Sequence, residues 1–252
     1  MEPFIINEEQ DGYVLFTINR PDKRNAINDD VMNGLEEAIK LTEKSDAKAL
    51  VITGSGDQAF CSGGDLSVFH ELRTEEQAYA MLSKMARILY RLLTLGKPTI
   101  AVINGAAIGG GCELATACDF RIARKDIKAG FVQGTLAITT GWGGGTMLLE
   151  KIPTQSALKM LMEADVYHTN QLLELGFLQS VYDDGDANQW KSKIERLLTI
   201  EASVLQAYKN VLLQKWEESK IWERMEKEVR RCAILWEDDK HHQQVELFRN
   251  RK

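Results

Sequence analysis

Apolar residues fall along this chain in two alternating rhythms. Tyr13-Val-Leu-Phe-Thr-Ile18 is a β-branched and aromatic run of strand type. A polar connection, Arg20 to Asn25, leads to Asn28 and Asp29, either of which can cap a helix reaching Lys44. Val31, Leu35, Ala38, Ile39 and Leu41 lie on its apolar face. Ala49 to Thr53 is a continuous apolar run, the pattern of a strand buried on both faces. Gly54 to Asp65 reads as a glycine-rich loop. Glu75 to Leu95 carries an apolar stripe from Ala78 through Met85 to Leu92 and predicts a long amphipathic helix. Thr99 to Ile103 and Phe120 to Ala123 predict two more strands. This alternation predicts an α/β domain. Beyond about Lys151 strand signals nearly vanish, and charge-laced helical segments fill Asn188 to Lys252. The expected division is an α/β core over residues 1–190 and a helical assembly region over 191–252.

Composition narrows the function classes. The 252 residues are 44% hydrophobic and 27% charged, which suits one large globular unit. The net charge of −6 argues against nucleic acid as a partner. The four cysteines, Cys61, Cys112, Cys118 and Cys232, form no C-x-x-C pair, and the histidines are not near them at ligand spacing, so no metal site is expected. Met1 to Glu9 lacks a signal-peptide pattern, and no run is long enough to span a membrane. A cytoplasmic protein is expected.

The chemistry-bearing motif is Asn104-Gly-Ala-Ala-Ile-Gly-Gly-Gly-Cys-Glu113, just after the Thr99–Ile103 strand. Glycines let backbone N–H groups approach a ligand closely, and a helix starting there leaves its first N–H groups free. A second glycine pair, Gly63-Gly64, also follows a buried strand. Parallel neighbouring strands would carry both loops to one end of a sheet. Each could then give one N–H to a shared oxygen, forming an oxyanion hole with Glu113 beside it. Gly54-Ser-Gly-Asp-Gln-Ala59 matches a dinucleotide fingerprint on paper. It runs on into another glycine turn rather than a helix, so that reading fails.

Three segments together resemble the crotonase (enoyl-CoA hydratase/isomerase) superfamily: Asn19–Asn28, Ala59–Leu66 and Ala101–Ala115. The resemblance covers essentially the whole chain. It implies a ββα spiral with a helical C-terminal region, assembled as a homotrimer or homohexamer. It implies an acyl-CoA substrate, no cofactor beyond the CoA moiety, and no membrane partner. The thioester oxygen would sit between the N–H groups of Gly64 and Gly110. Lys23, Arg24, Ala26, Ser62, Asp65 and Leu66 match the stretches that hold CoA, and Arg251 and Lys252 match a terminal basic motif.

The family's hydratases use two glutamates on one water. Glu113 matches the first. Alignment from Phe131 puts the second at Thr135, and no Asp or Glu occurs between Asp126 and Glu150. A threonine hydroxyl is a poor base, and acid–base assistance is worth about 10²–10⁴-fold. Trp142-Gly-Gly instead resembles malonyl-type acyl-CoA decarboxylases related to the ethylmalonyl-CoA enzyme, although those relatives carry Glu where this chain has Thr135. Hydration with Glu113 as sole carboxylate is the first expectation. Decarboxylation, or CoA binding without chemistry, are the alternatives. His70 reads as a surface residue at a helix start, and His168, His241 and His242 as residues in polar helical contexts.

Overall fold

In a computed structural model, residues 2–65, 69, 71–183 and 189–250 are described. Six strands form the main sheet: β1 (Phe4–Glu9), β2 (Tyr13–Ile18), β3 (Ala49–Gly54), β5 (Thr99–Ile103), β7 (Phe120–Arg124) and β10 (Ser180–Tyr182), hydrogen-bonded in the order β1-β2-β3-β5-β7-β10. β1 and β2 are an antiparallel hairpin, and every later pairing is parallel. Both faces are covered, as continuous apolar strands require. Phe16, Leu50, Ile52 and Ala101 enter the main core, whereas Tyr13, Val51, Ile100 and Ile122 enter a smaller cluster with Trp190 and Ile194.

The long helices start where their caps dictate. Asn28 Oδ1 accepts the Val31 N–H at the head of α1 (Asp29–Lys44). Thr74 and Gln77 form a reciprocal capping box on α2 (Glu75–Leu93), which ends two residues before the expected Leu95.

A second sheet corrects the sequence reading. The stretch read as one loop from Gly54 to Asp65 contains β4 (Ala59–Cys61). The glycine motif is entered from β6 (Ala106–Ile108), not directly from β5. β4 and β6 pair in parallel, and β8 (Lys128–Gly130) and β9 (Tyr167–His168) extend them in the order β4-β6-β8-β9. Strands of two or three residues are too short to show alternation, which is why the sequence hides them. β9 and β10 likewise lie past Lys151, where strand signals fade.

The remaining chain is helical: α3 (Gly110–Ala117), α4 (Gly144–Lys151), α5 (Thr154–Glu163), α6 (Thr169–Glu174), α7 (Lys191–Thr199), α8 (Ala202–Glu218), α9 (Ile221–Glu237) and α10 (Asp239–Asn250). A 3₁₀ segment, Val132–Leu136, leads from β8 toward α4. α9 packs along α2 and α4, and α10 rests on the 3₁₀ segment. Among the described residues, no helix is long and apolar enough to cross a membrane.

Candidate active site

The small sheet brings the two glycine loops together. β4 delivers Ser62, Gly63 and Gly64, and its parallel neighbour β6 delivers Gly109 and Gly110. Gly63 sits at φ +94°, and a Cβ there would lie 3.1 Å from Gly110 N, so the loops touch backbone to backbone. Gly110 opens α3, so its N–H has no acceptor inside the helix. Neither the Gly64 nor the Gly110 N–H has a hydrogen-bond partner among the described residues.

Both glycines line a cavity of about 180 Å³, together with Glu113, Thr135 and Trp142. The buried Trp142 ring lies against the two glycines. A Cβ on Gly110 would overlap its Cζ3, and one on Gly64 would come within 3.6 Å of its Cζ2. Phe69, Leu82, Ile138 and Trp236 make most of the remaining wall apolar. Glu113 is the one carboxylate among the described lining residues.

The loop carrying Lys23 and Arg24 joins the site through its backbone. Ser62 N–H donates to the Arg24 carbonyl (3.1 Å), Ile27 N–H to Gly63 O and Asp65 N–H to Ile27 O (2.8 Å each). The Lys23 and Arg24 side chains are exposed, and Ala26 is buried beneath them. Asp65 faces the protein: its carboxylate pairs with Arg20 at 2.7 Å, and Arg20 also donates to Ala26 O. Arg20 and the buried Asn25 are thus site-shaping residues that the sequence reading passed over. Leu66, His70, Arg251 and Lys252 lie outside the described residues.

A family model for enoyl-CoA hydratase/isomerase matches residues 8–250. The chain belongs to that family. A crotonyl-CoA hydratase of Syntrophomonas wolfei is 35% identical over 179 residues, covering 70% of this chain and 68% of the relative. An ethylmalonyl-CoA decarboxylase of Xenopus tropicalis is 32% identical over 235 residues, covering 92% and 78%. An enoyl-CoA hydratase/isomerase structure from Xanthobacter autotrophicus superposes with a TM-score of 0.87 at 23% identity, over 98% of this chain and 93% of that one. The α/β fold is therefore that of the crotonases.

In this member of the enoyl-CoA hydratase/isomerase family, Glu113 is held from four directions. Oε1 accepts from Gln133 Nε2 (2.9 Å) and Gly141 N (3.3 Å), and Oε2 from Trp142 N (2.8 Å) and Gly144 N (2.9 Å). The Gly141 contact is the longest of the four, so the Oε1 side is the more loosely held. Gly144 is required for this, because a Cβ there would overlap Glu113 Cγ. Burial pushes the Glu113 pKa up and the charge of Glu228 adds to it, while the Trp142, Gly144 and Gly141 N–H groups pull it down; the outcome is about 7.

Glu228, on α9, grips the start of α4. It accepts from Gly145 N (2.9 Å), Thr146 N (2.7 Å) and the Thr146 and Thr140 hydroxyls. Thr135 is exposed, and its hydroxyl donates to Val132 O at 2.7 Å. Two further groups on the cavity were not anticipated. Gln133 is buried with its Oε1 unpartnered among the described residues. His241, expected in a polar context, is 2% exposed and lines the cavity, its ring centroid 4.6 Å from that of Trp236 and tilted 46° to it. Neither has a motif around it that sequence inspection could have caught.

Proposed function

We propose that this protein acts on acyl-CoA thioesters by forming a thioester enolate whose oxygen is held between the N–H groups of Gly64 and Gly110. The observation carrying this reading is the pair of N–H groups without acceptors among the described residues, on one mainly apolar cavity whose described lining holds one buried carboxylate. Two aimed donors in a dry site stabilise a developing oxyanion strongly, and removing one such donor costs about 10²–10³-fold in rate. The acyl chain fits the apolar walls. The CoA phosphates fall to Lys23 and Arg24, exposed on the loop whose Arg24 carbonyl accepts the N–H of the cavity residue Ser62, and the backbone at Ala26 and Ser62 contributes to holding CoA. The chemistry calls for no group beyond CoA.

The first reaction is hydration of an enoyl-CoA, as in the crotonyl-CoA hydratase it resembles. Water adds to the β carbon, and Glu113 supplies the α-carbon proton. Decarboxylation of a malonyl-type thioester is the second reading, and one observation favours it. No second carboxylate stands among the described cavity residues to repel the substrate's own. Loss of CO₂ leaves its bonding pair on the enolate directly, with no base. Assembly as a homotrimer or homohexamer fits Val204, Tyr208 and Val211, which share one exposed face of α8. The four cysteines are buried and free, as suits the cytoplasm.

Incubation with crotonyl-CoA and with methylmalonyl-CoA tests the assignment. Loss of the enoyl chromophore with the first supports hydration, and CO₂ release from the second supports decarboxylation. Neither binding nor turnover across an acyl-CoA panel would overturn the acyl-CoA reading.

A further inference from the structure

The acid–base group missing at Thr135 has a candidate replacement from the far end of the chain. We infer that His241 forms the second half of the hydration site: its Nε2 is the base that takes the proton from water. This rests on the acyl-CoA hydration reading above.

The geometry starts at Leu136. Its carbonyl is a pure acceptor, so His241 Nδ1, 2.7 Å away, carries the proton and donates it. That fixes the tautomer and leaves Nε2 as a lone-pair acceptor, with no partner among the described residues. Leu136 is the residue after Thr135, so the imidazole is anchored where the family pattern expects the second glutamate. Gln133 lies three residues before Leu136 in the same 3₁₀ segment, a spacing that stacks side chains on one face. Its Nε2 donates to Glu113, which ties this segment to the buried carboxylate. Gln133 and His241 both line the cavity that holds Glu113.

Burial holds His241 below the ordinary histidine range, and His242 on the same helix and Arg73 before α2 push the same way, against the Leu136 hydrogen bond. Glu113 is the carboxylate that lines the same cavity, and Trp236 of α9 packs against its ring. The downward shift keeps the imidazole in its neutral form, the form that accepts a proton. As the water oxygen bonds the β carbon, its proton passes to His241 Nε2. The C=C pair moves through the α carbon to the thioester oxygen, giving the enolate held by Gly64 and Gly110. The enolate collapses as the α carbon takes the proton of the Glu113 carboxylic acid. Proton return from His241 to Glu113 through solvent closes the cycle with one water added.

The test compares wild type with H241N and H241G on crotonyl-CoA. Asparagine keeps an N–H where Nδ1 stands, so the Leu136 anchor survives while Nε2 is lost. H241N should bind crotonyl-CoA within about threefold of wild type and lose about 10²–10³-fold in kcat. Added imidazole should restore part of the rate to H241G, which a merely structural role would not allow. A kcat for H241N within about threefold of an active wild type overturns the inference and leaves the functional reading intact. A wild type that binds acyl-CoA without hydrating it also overturns the inference, while the acyl-CoA reading stands. A wild type that binds no acyl-CoA fails before any variant is made and overturns the functional reading with it.

Discussion

At the scale of single residues, Glu113 controls both chemistry and pH response. Its folded-state pKa is raised from about 4.5 to about 7, so the folded protein binds this proton more tightly than the unfolded chain does. The associated stability is therefore full below about pH 4.5 and is lost as pH rises through 7; the difference is on the order of 3 kcal/mol. In E113Q, urea midpoints across this range should lose that downward slope. The variant should also be less stable overall, because a Gln NH₂ would face two N–H groups that now donate to a carboxylate oxygen. Turnover should fall about 10²–10⁴-fold. Full activity in E113Q would remove the residue from proton transfer. Glu228 offers a finer test, since its charge helps raise the Glu113 pKa. E228Q should move the Glu113-linked limb of the pH–rate profile to lower pH, and an unmoved limb would show that burial alone sets it. Gly64, Gly110, Glu113 and Trp142 were legible in the sequence because each sits in a compact glycine motif. Gln133, Glu228 and His241 were not, since each reaches its partner across 20 to 105 residues of sequence.

At the scale of elements, the site depends on how the Arg20–Asn25 turn clasps the β4 loop. Asn25 is buried at φ +54°. Its amide donates to Ser55 O (2.9 Å) and Ala59 O (2.6 Å), and its Oδ1 accepts the Arg20 N–H (3.0 Å). N25A would strand those three backbone groups and place alanine in the left-handed region. We expect a loss of about 2–4 kcal/mol by urea denaturation, with a raised KM for acyl-CoA because this turn carries Lys23 and Arg24. Unchanged KM despite the stability loss would separate the turn from CoA binding. Long elements were legible: β2, β3, β5 and the capped helices α1 and α2 fall within about two residues of their expected spans, because their apolar periodicity extends over several repeats. The small sheet that aligns the two glycine loops was invisible, because pairing between distant segments, not local pattern, creates its strands.

At the scale of the whole molecule, the cavity is closed by parts of the chain that lie far apart in sequence. Residues 62–64, 109–113 and 132–142 make its floor, while α9 and α10 supply Cys232, Trp236, His241 and Phe248. The site is therefore complete only when the C-terminal helices have docked, and local opening of those helices opens the cavity. Trp236 ties α9 to the cavity and to the segment leading into α2. It is buried, its indole N–H donates to Leu72 O at 3.0 Å, and its ring supports His241. W236A would remove a large core side chain, leave the Leu72 carbonyl without its donor and release the His241 ring. Such a change costs about 3–5 kcal/mol when the surroundings do not collapse. Urea denaturation should show a lower midpoint with an unchanged slope, which marks lost stability rather than a changed unfolded state. Turnover should fall together with stability, because the same side chain packs the helix and seats the imidazole. A stability loss under about 1 kcal/mol with normal kinetics would mean that the end of α9 frays without consequence, and that the cavity is defined by its first 142 residues alone.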